Sequence, residues 1–398
     1  MHAQRLLHSL FTESCIQIDK RIRNILHLAA ETLIEAKQLS ISSLGRSLNR
    51  ASKVKHDIKT MDRLFGNKLL QIKRNIYYQG IAKIVLKDNK RPGIIIDWSG
   101  LTPCGAYHFL RASVVVSGRA LTLYEKSYTL KDYGKSKIHR DFLKELRRLL
   151  PLNCQPIIVT DAGFRNTWFR QVLSLGWDYI GRVRNKTQYC EKHAKQWKPI
   201  KSLYAQAKLT ARYVGHVKLA QSHPLKCHFY LQKQQKKYRQ RLNLSGRKIQ
   251  CSMSKKHARR ENEPWLLASS LSPQELSVVE IMLLYKKRMQ IEEAFRDLKN
   301  TRNGFGLRQC RSFTAGRLNI ALLISTLAML VLWLYGVAAK QKSLHYGFQS
   351  NTERKRNVLS IIVIGWQVIN RRTGIINNND LMRALETIRL TALGNQLC

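Results

Sequence analysis

The sequence predicts an α/β protein, a layer of strands and helices flanked on both sides by helical segments. Three observations carry that reading. Apolar residues recur at helical spacing from the N-terminus to about residue 88. From Pro92 the spacing becomes that of buried strands separated by a helical run, as in a layered core. After Ser277 helical spacing resumes and continues toward the C-terminus.

The first segment contains SISSLGRSLNRASKVKHDIKTMDRLFGN, which reads as a helix-turn-helix: a short helix from Ser42 to Leu48, a polar turn, and a second helix capped by Ser52. On the second helix Val54, Ile58, Met61 and Leu64 form the apolar stripe, leaving Lys53, Lys55, His56, Lys59 and Arg63 outward. Such a face suits a DNA-reading helix, and it equally describes an amphipathic helix with a solvated basic side. Next, GIIIDW reads as a buried strand, LRASVVVSGRALTLYEKSYTL as two strands joined at Ser117-Gly118, Arg140 to Leu150 as a helix, and PIIVTDAGF as a further strand.

Residues from about 183 to 264 interrupt this core with mixed strands. They include Lys233 to Arg260, which carries eleven Lys or Arg and no acid. That stretch is either an arm along a phosphate backbone or a solvated loop. Ile320 to Ala339 is twenty residues without a charge, long enough to cross a bilayer. The absence of a second span and the equal basicity of both flanks favour a helix buried in a large core over a membrane helix.

The 70 Lys and Arg outnumber 25 Asp and Glu, for a formal charge of +45. That excess points to a polyanionic partner, and its spread along the chain favours nucleic acid over an acidic membrane surface. The 44% hydrophobic content excludes a disordered polycation. Eight cysteines form no CxxC pair and no Cys/His ligand spacing, which argues against a zinc module or disulfide scaffold and for reduced thiols. The apolar stretch in MHAQRLLHSLFTESC is too short for a secretory signal, so no outward targeting is expected.

Chemistry is expected at three acids. Asp97 follows Ile94 to Ile96, and Asp161 follows Ile157 to Thr160, placing each carboxylate at the expected C-terminal end of a strand, where open α/β sheets hold their sites. Neighbouring strands would bring the two together, and like charges so placed need a cation. Hard oxygen ligands select Mg²⁺ or Mn²⁺. As one helix, YKKRMQIEEAFRDLKN puts Tyr285, Arg288, Glu292 and Lys299 on a common face, with Glu293 turned about 100° away toward solvent or a basic neighbour. Glu292 then supplies a third acid, and its cationic neighbours grip phosphates. Taken singly, each feature has a plainer account, a turn residue for either aspartate and a salt-bridged surface for the helix face.

In combination and order these residues resemble the DDE transposases of bacterial cut-and-paste insertion sequences, the insertion sequence 4 family with its Y-x2-R-x3-E-x6-K signature. The likeness runs through LGRSLNRASKVKHDIKTMDRLFGN, IIIDWSG, LRASVVVSGRALTLYEK, IVTDAGF and KRMQIEEAFRDLKN with GFGLR after it. The resemblance implies an RNase H-like catalytic domain over 89–310, interrupted by a strand-rich insertion at about 183–264. It also implies a helical domain over 1–88 that binds transposon ends, and a C-terminal helical region over 311–398. It implies that Asp97, Asp161 and Glu292 bind two Mg²⁺ ions, with Mn²⁺ able to substitute, and that Tyr285, Arg288 and Lys299 contact the DNA end. Lys53, Lys55, Lys59 and Arg63 are the expected DNA contacts of the N-terminal domain. Trp265 falls where related enzymes stack a flipped base, although beside Leu266 and Leu267 it also suits core packing.

The partners implied are double-stranded DNA, as transposon end and target, and a second copy of the chain during synapsis. No small-molecule substrate is expected, and the location implied is the bacterial cytoplasm at the nucleoid. Two rival readings remain: a structure-specific nuclease or resolvase that cuts without joining, and a noncatalytic basic DNA-binding protein in which the acids are structural.

Overall fold

The computed structural model describes residues 3–116, 118–192, 194–235, 247–249, 251–254, 262–353, 356, 358–371 and 376–393. It divides into two compact units, one made of the chain up to Pro156 together with the chain from Lys287 on, the other of Ile157–Lys286.

The first unit opens with α1 (Ala3–Phe11), α2 (Lys20–Ala36), α3 (Ile41–Arg46), α4 (Val54–Gly66), α5 (Lys68–Lys73) and α6 (Asn75–Leu86). Asp19 caps α2, its Oδ1 accepting from the N–H groups of Arg21 and Ile22 at 2.9 and 3.2 Å. α3 and α4 meet at Gly45, where an added Cβ would stand 2.5 Å from the Ile58 Cα, so no side chain fits that crossing. Two details of the expected second helix change. Ser52 does not cap α4: Lys53 holds the cap position without a side-chain bond, and Ser52 Oγ instead donates to Asp57 Oδ1 at 2.6 Å. The apolar stripe shifts with it, because Val54 is exposed while Asp57 is buried beside Met61, Leu64 and Phe65.

After α6 the chain forms the antiparallel meander β1 (Gly93–Gly100), β2 (Tyr107–Val115) and β3 (Ala120–Thr129), followed by α7 (Ser136–Leu149). β1 runs three residues beyond the expected end. Trp98, Ser99 and Gly100 still pair with Leu110, Phe109 and His108, so Asp97 lies within the strand, at the point where burial gives way to partial exposure. Arg111 on β2 stands opposite Glu125 on β3 and grips its Oε2 through Nε at 2.8 Å and NH2 at 2.6 Å.

The second unit contains β4 (Ile157–Thr160), α8 (Asn166–Leu173), β5 (Asp178–Arg182), β6 (Gln188–Glu191), β7 (Lys198–Pro199), β8 (Arg212–Leu219), β9 (Leu225–Gln232), β10 (Trp265–Ser269) and all but the last residue of α9 (Val278–Lys287). β4 and β5 are parallel; β10 pairs antiparallel with both β5 and β9, and β8 and β6 extend the ladder to β7. Most of Lys233 to Arg260 lies outside the described residues.

The first unit is completed by α10 (Met289–Lys299), α11 (Ala315–Gln341), α12 (Ile361–Arg371) and α13 (Asn378–Leu393). α11 carries the uncharged twenty-residue stretch, and all of that stretch but Met329 is buried, packed against α2, α12, α13 and β3. Its apolar face is therefore satisfied by protein, as expected for a core helix. α11 and α12 touch backbone to backbone: a Cβ at Gly336 would lie 2.1 Å from the Ile361 carbonyl oxygen, and one at Gly365 would lie 2.2 Å from that of Leu332. Trp366 of α12 donates its indole N–H to the Ile34 carbonyl of α2 at 2.6 Å, tying the last helices to the first.

Candidate active site

In the first unit the chemistry gathers at the half-exposed end of β1. Asp97 Oδ1 accepts from the Trp98 backbone N–H at 2.8 Å, while Oδ2 faces Arg288 NH1 at 3.4 Å. The same guanidinium reaches Glu292 Oε1 through NH2 at 2.8 Å. One arginine thus bridges two of the three expected acids. Lys299, at the far end of α10, donates to Ser99 Oγ at 2.5 Å and lies 5.9 and 5.6 Å from the ring centres of Phe109 and Phe295. Burial, reinforced by Arg308 and Arg111 and opposed by Asp97, lowers its pKa to about 8. Glu293 pairs with Arg296 at 2.7 Å and Arg119 at 3.8 Å, as its outward turn predicts.

Beside Asp97, the Trp98 indole donates to Nε2 of His139 on α7 at 3.0 Å. That bond needs a neutral imidazole, and burial lowers the His139 pKa to about 4.

The expected single helix over residues 285–300 is interrupted. α9 ends at Lys287 and α10 starts at Met289, with Arg288 between them in right-handed helical backbone and the Ile291 N–H bonded to the Arg288 carbonyl at 3.2 Å. At the start of α10 one turn is therefore closed by an i+3 bond in place of i+4. Tyr285 belongs to the second unit, buried with its ring edge-on to Trp265 at 4.9 Å. Trp265 itself is only partly buried.

Asp161 is also in the second unit. It directly follows β4, and its Oδ1 accepts from the Gly163 N–H at 2.8 Å, closing a tight turn. Sequence reasoning missed the cleft beyond that turn, about 1150 Å³ in volume and lined by Arg165, Arg170, Arg182, Arg184 and Lys186 with no carboxylate among its lining side chains. The signal was present as GRVRNK, in which three basic residues occupy alternate positions. Lys53 at the cap of α4, and Lys55, His56, Lys59 and Arg63 on the helix, are all exposed.

The donor chemistry suits a hard divalent ion: carboxylate oxygens, two of them already sharing one cation. Among the described residues, however, no three His, Cys, Asp or Glu side chains stand together to hold a metal. The shared cation is Arg288.

No curated protein sequence matches this chain. The family model for the transposase DDE domain matches residues 88–330, a span that includes Asp97, Asp161 and Glu292. With well over half of its length matched, and with paired acids at a strand and a helix of its first unit, the chain belongs to the transposase DDE domain family and acts on DNA as a transposase.

Proposed function

We propose that the chain moves an insertion sequence by cut-and-paste transposition, as a member of the Y-R-E-K group of the insertion sequence 4 family close to the insertion sequence 10 transposase. The observation that carries this reading is that the matched span contains Asp97, Asp161 and Glu292 in family order, while Asp97 and Glu292 converge on one cation. Residues 1–88 bind the transposon ends, 89–310 form the RNase H-like catalytic domain with its insertion at about 183–264, and 311–398 complete the helical scaffold. Two copies pair the ends in synapsis.

DDE transposases use divalent metal ions. Here Asp97, Asp161 and Glu292 would hold two Mg²⁺ ions, with Mn²⁺ able to replace them; when bound, the ions supply Lewis-acid activation at phosphorus. Arg288 and Lys299 hold phosphates of the DNA end, and Tyr285 positions the strand. Trp265 stacks on a base flipped from the end, a contact that offsets part of the unstacking cost at about 1–3 kcal/mol per base. No bond to the protein forms. Water opens the first strand, the freed 3′-OH attacks the opposite strand to make a hairpin, a second water opens it, and the 3′-OH then joins target DNA.

The test is a DNA fragment carrying the ends that flank its own gene, incubated with the chain and Mg²⁺. Nicks, hairpins and joined products are expected. Cleavage with no joining of a labelled, pre-cleaved end to plasmid would replace the transposition reading with that of a nuclease or resolvase.

A further inference from the structure

An i, i+4 arginine–glutamate pair on a helix is ordinarily a minor surface feature. Arg288 differs because its second partner comes from elsewhere in the fold: Asp97 on β1, 191 positions away. The guanidinium is sheltered, its side chain 12% exposed, as is that of Asp97 at 16%, whereas Glu292 is 43% exposed. Its fork geometry allows one arginine to serve both acids at once. A divalent ion sharing Asp97 and Glu292 would have to displace this cation or stand beside it, against like-charge repulsion that the sheltered setting screens poorly.

We propose that Arg288 is a lock on the acid pair, and that it orders loading of the site. Without DNA the guanidinium neutralises Asp97 and Glu292 and keeps their affinity for divalent metal low. A phosphate of the DNA end competes for the same guanidinium, draws it off the acids, and exposes them to the ion. DNA binds first and metal second, so hydrolytic chemistry is withheld until an end is in place. This rests on the reading of Asp97 and Glu292 as metal ligands and of Arg288 as a phosphate contact.

The experiment measures Mn²⁺ binding by the full chain, followed by the electron paramagnetic resonance of free Mn²⁺. It compares the native chain, Arg288→Met, which keeps the length of the side chain without its charge, and Arg288→Lys, which keeps the charge but not the fork. Circular dichroism checks folding. Without DNA, Arg288→Met should bind Mn²⁺ about tenfold or more tightly than the native chain, and Arg288→Lys should fall between. A short duplex copied from the gene's own flank should tighten Mn²⁺ binding by the native chain and leave Arg288→Met little changed. Equal affinities of native and Met chains, or an equal response of both to the duplex, overturn the lock alone. If Arg288→Met does not fold, the native chain and Arg288→Lys decide: no gain from the duplex, or none from the lysine, overturns the proposal. If no chain shows Mn²⁺ binding that Asp97→Asn abolishes, with or without duplex, the metal-ligand reading falls and the lock with it.

Discussion

Two arginine–carboxylate clusters in the first unit use the same chemistry to opposite ends. Arg111 and Glu125 sit directly across two strands, with side chains 4% and 0% exposed. Thr326 of α11 donates to the other glutamate oxygen at 2.5 Å, and Arg74 donates to the Glu125 carbonyl at 3.2 Å. The Arg111 guanidinium also lies 5.2 and 5.3 Å from the ring centres of Phe109 and Phe295. Both carboxylate oxygens are engaged and solvent is excluded. Arg288, Asp97 and Glu292 are joined just as directly, yet the glutamate is open to solvent. A sealed ion pair can only hold elements together, because removing either partner strands a buried charge. An open one can exchange its cation, and so can take part in binding.

The comparison breaks if the two clusters respond alike to mutation. The largest effect is expected at the open cluster: Asp97→Asn and Glu292→Gln should each reduce Mg²⁺-dependent DNA cleavage by roughly 10³-fold or more, the loss of several kcal/mol of charge stabilisation. Urea unfolding of both variants should stay near native. Glu125→Ala should show the reverse emphasis, losing about 3–5 kcal/mol of stability by urea or thermal unfolding because Arg111 is left buried and unpaired.

Acid should act on a third kind of site, the buried neutral histidines. Burial lowers the pKa of His139 to about 4 and that of His27, which meets the Tyr77 hydroxyl at 3.0 Å, to about 3, from an ordinary 6.5. The unfolded chain therefore takes up these protons first as pH falls. Their contribution to stability is complete above pH 6.5 and declines as pH drops toward 4 and then 3. Unfolding midpoints measured across that window should fall, and His139→Gln should flatten the upper part of the decline. The smallest effect is expected on the exposed face of α4. Lys59→Ala should change stability by less than about 0.5 kcal/mol and reduce the salt slope of DNA binding by about one.

The sequence made the buried strands legible because three or four consecutive β-branched residues leave few alternatives, and β1 begins at Gly93, just before Ile94, and β4 at Ile157. The core role of α11 was also legible, from apolar residues on every side and matching basic flanks. The sealed pair was not. A shift of register between Ala112 and Ser113 changes which β3 residue faces Arg111, and no count from the turn anticipates it. The phase of α4 was misread because burial of Asp57 depends on Ser52 and on Arg50, 3.7 Å away, so a carboxylate took a place the pattern assigned to an apolar residue. At the site, order and spacing singled out Asp97 and Glu292, which the fold brings onto one guanidinium. The capture of Asp97 by Arg288 was not legible, because it joins residues that only the folded chain brings within reach.

The contact of α11 with α12 and α2 bears on how the molecule is made. A helix with the hydropathy of a membrane span, encoded from residue 315 on, covers α2, encoded from residue 20. During synthesis the amino-terminal helices must therefore wait, unable to finish their core, until Ala315–Gln341 has left the ribosome. Maturation of the first unit is a late event, and a chain interrupted before α11 would expose the greasy surface of α2 to whatever else is nearby.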